Sequence, residues 1–189
     1  VREDTEREGM LFAGTESGMF VSFDDGKHWQ ELDLNLPPVA ITDMQVKGDD
    51  LVVATQGRGF WILDDISPLR EVHKSLDDEA LFQFEPVDGV RLLSGGGMTD
   101  QPQAKNPPRG ATFRYYLKDA LEEDQTLRID IFNADNELVR TLSSASSAFE
   151  KCAKGNEDVR SPIKFKHPST KAGYNTFVWD LRREPLNCI

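Results

Sequence analysis

Residues 22–29 read Ser22-Phe23-Asp24-Asp25-Gly26-Lys27-His28-Trp29, a run that suits a tight turn between two strands. Asp24 can accept hydrogen bonds from turn amides, and Gly26 can supply a positive φ. Ser22 ties the end of the incoming strand, while Trp29 closes the turn as an apolar plug. Such groups satisfy one another, so the run reads as structural rather than catalytic. A calcium site on Asp24 and Asp25 is the rival reading, and it lacks the carboxylates at alternate positions that a calcium loop supplies.

Outward from this turn the first 65 residues alternate short apolar runs with turn residues, the pattern of an all-β fold. Strands are expected at Met10–Thr15, Gly18–Ser22, Ile41–Val46, Leu51–Thr55 and Gly59–Leu63. Two of these stretches echo each other: MLFAGTESGMFVSFDD from Met10 and DLVVATQGRGFWILDD from Asp50. Thr15 matches Thr55, Phe20 matches Trp61, and both end in an Asp pair. The offset of about 40 residues is the length of one four-stranded repeat unit. In the second copy Asp65 is followed by Ile66-Ser67-Pro68, with neither Gly nor Trp, so the turn signature is lost there.

After Pro68 the segment Leu69–Ser75 suits one or two helical turns, with Pro68 at the first position. Leu81–Phe84 and Val90–Leu93 could each form a strand, and Ser94–Pro108 has the composition of a linker or long loop. From Ala111 the β pattern resumes at Thr112–Leu117 and Leu127–Phe132. A turn at Asn133–Asn136, a returning arm at Glu137–Leu142 and a last strand at Gly173–Asp180 follow. An all-β sandwich of the immunoglobulin type accounts for these with the fewest assumptions.

Ser22, Asp24, Gly26 and Trp29 match the Asp-box pattern Ser-x-Asp-x-Gly-x-Thr-Trp, with His28 where Thr is usual. Residues 1–70 thereby resemble the final part of an Asp-box (bacterial neuraminidase repeat) β-propeller of sialidase-like, xyloglucanase-like and sortilin-like proteins. The two echoing stretches are similar to those of large exported bacterial proteins of glycosyl hydrolase-like or sortilin-like type. Those proteins continue into an immunoglobulin-like domain similar to that of flagellar hook-capping proteins. Asn106–Ala111, Ile129–Phe132, Val139–Leu142, and Gly173–Asn175 leading to Trp179–Arg182 carry that second likeness.

The resemblance implies about 1.5 propeller blades over residues 1–70. A connecting segment over 71–108 and an immunoglobulin-like sandwich over 109–189 complete the expected organisation, with the sandwich truncated at Ile189. It further implies a non-catalytic C-terminal fragment of an exported (periplasmic, cell-surface or extracellular) protein. Its partners would be the remainder of the parent propeller and a glycan or protein ligand. One alternative is the accessory end of a glycoside hydrolase whose catalytic residues lie upstream. Another is a carbohydrate-binding sandwich using Tyr115, Tyr116 or Tyr174 as platforms.

No catalytic set is visible. Asp24, Asp25, Asp64 and Asp65 are the carboxylates from which a glycosidase pair would have to come, and adjacent Asp residues near strand ends more often serve turns and caps. Gly57-Arg58-Gly59-Phe60-Trp61 is the candidate ligand surface, with Arg58 presented between glycines and Phe60 or Trp61 as a stacking platform. The competing reading puts Phe60 and Trp61 on opposite faces of a strand. His28, His73 and His167 are too scattered to suggest a metal or a base, and no cofactor motif occurs. A net charge of −11 argues against nucleic acid and anionic membrane as partners. No apolar run approaches the ~20 residues of a membrane span. Cys152 and Cys188 fit no metal spacing and leave a disulfide and two free thiols both open.

Overall fold

The computed structural model describes residues 1–32, 34–72, 76–87, 89, 110–145 and 166–183. The chain is mostly β-strand, in several antiparallel sheets, and divides into two compact units, Val1–Lys74 and Ser75–Ile189. Among the described residues no helix is long and apolar enough to cross a membrane.

The first unit holds two sheets. Strands β1 (Arg2–Glu3), β2 (Leu11–Gly14), β3 (Met19–Ser22) and β4 (Gln30–Glu31) form an antiparallel meander in chain order. Strands β5 (Ile41–Lys47), β6 (Asp50–Thr55) and β7 (Phe60–Leu63) form a second meander, followed by the short helix α1 (Ser67–Glu71). Period-2 alternation sends Phe12, Met19 and Val21 of the first sheet, and Leu51 and Val53 of the second, into one core with Met10, Met44, Val46 and Ile66. Met10, Phe12 and Ile66 are wholly closed to solvent, each burial being worth about 1.5–3 kcal/mol. The sheets approach closely at Gly14, where a Cβ would stand 2.5 Å from Ile41 Cγ2 and 2.6 Å from Met44 Cε. Only a glycine fits there without displacing the neighbouring sheet.

The expected echo is present in atomic detail. Gly14 pairs with Met19 as Ala54 pairs with Phe60, and Phe12 pairs with Val21 as Val52 pairs with Ile62. Thr15 donates from its N–H (2.9 Å) and Oγ1 (3.0 Å) to Gly18 O; Thr55 donates from the same two groups to Gly59 O at 3.1 and 2.7 Å. The second loop is one residue longer, so Phe20 aligns with Trp61. The two-residue strands β1 and β4 were not legible in the sequence, because Arg2–Glu3 and Gln30–Glu31 are polar, exposed and too short to alternate.

In the second unit β8 (Leu81–Gln83), β9 (Ala111–Leu117) and β12 (Gly173–Trp179) form an antiparallel sheet in the order β12-β9-β8. Strands β10 (Arg128–Phe132) and β11 (Leu138–Ser143) form a separate hairpin. Its turn is built by Asn133, whose Oδ1 accepts from the N–H groups of Asp135 (3.0 Å) and Glu137 (2.8 Å), with Asn136 at φ 61°. Tyr115 and Leu117 from β9, Phe177 from β12, Leu142 from β11 and Leu127 share a core across the two sheets. The segment read as a connector thus supplies an edge strand, β8, to the second unit. Val90–Leu93, Cys152 and Cys188 lie outside the described residues, as does most of Asn106–Ala111.

Candidate functional site

The loop between β3 and β4 consumes its own polar groups. Ser22, 1% exposed at the end of β3, accepts at Oγ from Gly26 N–H (2.9 Å) and donates to Asp24 Oδ1 (3.1 Å). Asp24 Oδ1 also accepts the His28 N–H at 2.9 Å, and the other carboxylate oxygen lies 2.5 Å from His28 Nδ1. The His28 side chain, and then its backbone N–H, hold the Asp24 carboxyl down at about 2. The His28 ring therefore engages the oxygen that Ser22 does not, while the His28 N–H shares the other oxygen with Ser22. Gly26 is at φ 79°, as the turn requires, and Asp25 also takes a left-handed φ of 60° while its N–H bonds Gly9 O at 2.9 Å. Trp29 departs from the expected plug: it is 39% exposed and lies over the turn against Gly26 rather than inside the core.

Serine, aspartate and histidine meet here in an order that cannot run acyl transfer. The carboxylate stands between the hydroxyl and the imidazole, whereas a nucleophile needs the base on its own hydroxyl. Ser22 is also closed to solvent. Asp65 is occupied differently, its Oδ1 accepting from the Ser67 N–H (3.1 Å) and Oγ (2.6 Å) in a turn that leads into α1. Among the described residues no group of three or more His, Cys, Asp or Glu side chains is placed to hold a metal ion.

The candidate ligand surface at the β6–β7 loop divides in two. Gly57 and Gly59, at φ 79° and 73°, present an exposed Arg58. Phe60 is 80% exposed on the outer face of the second sheet, whereas Trp61 turns inward against the first core and donates Nε1–H to Arg58 O at 3.2 Å. Phe60 and Trp61 therefore do not form one stacking platform.

In the second unit Tyr115 is 3% exposed in the core, with its hydroxyl on Ser169 O at 2.6 Å, which removes it as a platform. Tyr116 and Tyr174 face the other way. They sit opposite each other on β9 and β12, with Phe82 opposite Tyr116 on β8, so three aromatic side chains cross the sheet in one row. Tyr174 is 54% exposed.

The strongest polar network in the first unit gave no sequence signal. Arg70 on α1 donates from Nε to Asp4 Oδ2 (2.9 Å) and from Nη2 to Asp4 Oδ1 (3.0 Å), with Glu6 at 3.0 Å and Asp49 at 2.5 Å on Nη1. The Asp4 side chain is wholly buried. Burial pushes its carboxyl up, but Arg70 and the N–H groups of Arg7 and Glu6 outweigh burial and hold it below the usual carboxylate range. Sixty-six positions separate the partners, and short-range patterns carry no trace of such a pair. Chemically it is a clasp, joining the chain after β1 to the helix after β7. No protein-family model, curated protein or solved structure matches the chain.

Proposed function

We propose that this chain is a non-catalytic structural and binding module, built from the closing blades of an Asp-box propeller and an immunoglobulin-like sandwich. The observation that supports the reading most is the equivalence of the β2–β3 and β6–β7 hairpins, down to the paired threonine hydrogen bonds. Repetition at this length belongs to architectures in which stacked units bury one continuous core. The polar groups of the first turn hold that turn together, and Asp65 holds the turn that leads into α1, so these carboxylates serve the scaffold. Residues 1–189 are expected to hydrolyse a panel of aryl glycosides no faster than the Asp24→Asn and Asp65→Asn variants. Turnover lost on either substitution would overturn the non-catalytic reading.

A second reading, glycan binding by the sandwich, is favoured by Tyr174, 54% exposed at the end of the row with Tyr116 and Phe82, because an exposed aromatic face can stack on a sugar ring. It predicts glycan-array signals that Tyr174→Ala abolishes and Arg58→Ala leaves intact. An array blank for the unmodified chain removes this reading.

A further inference from the structure

Three segments of the first unit each adjoin a residue closed to solvent: the loop Asp4–Gly9 runs into Met10, the turn at 23–28 follows Ser22, and α1 follows Ile66. Outside those anchors Asp4 and Pro68 are the buried members of the three segments, and Phe23 and Leu69 pack against the core. The other bonds are polar and run from segment to segment. Asp25 N–H donates to Gly9 O at 2.9 Å. The Arg7 guanidinium lies 5.1 Å from the centre of the Phe23 ring, and its Nη1 donates to Leu69 O (2.8 Å) and Arg70 O (3.0 Å). Arg70 returns the grip on Asp4, whose carboxylate also takes the Arg7 N–H at 2.7 Å. The loop is thus the middle member, bonded to the turn on one side and to the helix on the other.

We propose that the loop Asp4–Gly9 and α1 open and close as one cooperative unit, coming away while the two-sheet core stays folded. Neither member holds without the other. A helix of five residues with no side-chain cap has no stability of its own, and Arg7 takes up its last carbonyls. If α1 left alone, the buried Asp4 carboxylate would lose its cation, so the loop leaves with it. Few buried apolar contacts and half-exposed polar bonds place such a unit at the low end of local stability, below strands such as β6. The turn stays behind, because Ser22, Asp24 and His28 bond one another. Its Asp25 N–H, however, loses Gly9 O and reports the opening from a distance. Opening also moves the chain's last anchor in the first unit back to Ile66, adding the five residues of α1 to the tether towards the second unit.

Native-state amide exchange on the full 189-residue chain, read by NMR at low urea concentrations, tests it. The amides of Arg7, Asp25 and Leu69 should converge on one rate with one urea dependence, about tenfold or more faster than Val53 in β6. Arg70→Met should then speed those three amides by a common factor of about ten or more, leaving Val53 and His28 unchanged. The effect at Asp25 is the decisive one, since among the described residues Arg70 makes no hydrogen bond to the turn. Arg70→Lys, which keeps a cation beside Asp4, should give a smaller common factor and serves alone if Arg70→Met does not fold. Faster exchange at Leu69 with Asp25 unmoved would overturn the proposal, as would equal acceleration of Val53, which would make the opening global. Neither failure touches the repeat reading, which rests on the β2–β3 and β6–β7 hairpins.

Discussion

The β2–β3 and β6–β7 hairpins share a register and a loop hydrogen-bond scheme, yet they end differently and see different surroundings. After Ser22 the first runs into a turn that satisfies its own polar groups and returns as β4. After Leu63 the second reaches Asp65, whose carboxylate holds the turn leading into α1, and among the described residues no strand pairs with the far edge of β7. Phe12, Met19 and Val21 on one face of the first hairpin are buried against the neighbouring sheet, whereas Phe60 and Ile62, their counterparts on the second, are exposed. A repeat thus fixes a hairpin's internal geometry, while its neighbours decide which of its side chains become core.

The largest test of this contrast is at the clasp, which binds the helix replacing the second turn to the chain after β1. Arg70→Met leaves the buried Asp4 carboxylate without its cation and should cost about 3 kcal/mol in urea unfolding. Ser22→Ala strips the buried hydroxyl that receives Gly26 N–H and should cost about 1–3 kcal/mol. Thr15→Val and Thr55→Val remove matched hydrogen bonds and should each cost about 0.5–1.5 kcal/mol, the near-equality being the point of the pair. The smallest effect is electrostatic. Asp24 titrates at about 2 in the folded chain against an ordinary 3.8, so its contribution is fully present above about 3.8 and is lost as pH falls through about 2. A carboxyl NMR titration should show this, and His28→Ala should move the midpoint upward.

Much of the all-β character was legible because alternation and turn residues are local signals. Thr15 and Thr55, or Phe20 and Trp61, are found by comparing two short strings, and Asn133 announces its turn by residue type. Other features depend on what lies across space. Trp29 reads as a plug from its size but rests over the turn, and Phe60 reads as a ligand residue although its exposure follows from an uncovered sheet. Tyr115 and Tyr116 are neighbours in sequence and look equally suited to binding, yet the pleat sends one to the core and the other to the outer face. The Asp4–Arg70 clasp was invisible because ion pairing between distant positions has no period.

One comparison of substitutions addresses directional packing of equivalent hairpins most directly. Gly14→Val and Ala54→Val enlarge the same position of the two repeats, and unfolding free energies would be measured for both. Gly14→Val should lose about 1–3 kcal/mol or more, since its side chain collides with Ile41 and Met44. Ala54→Val, on the face that carries exposed Phe60 and Ile62, should stay within about 0.5 kcal/mol of the unmodified chain. Equal losses at both positions, or a greater loss at Ala54, would contradict the account.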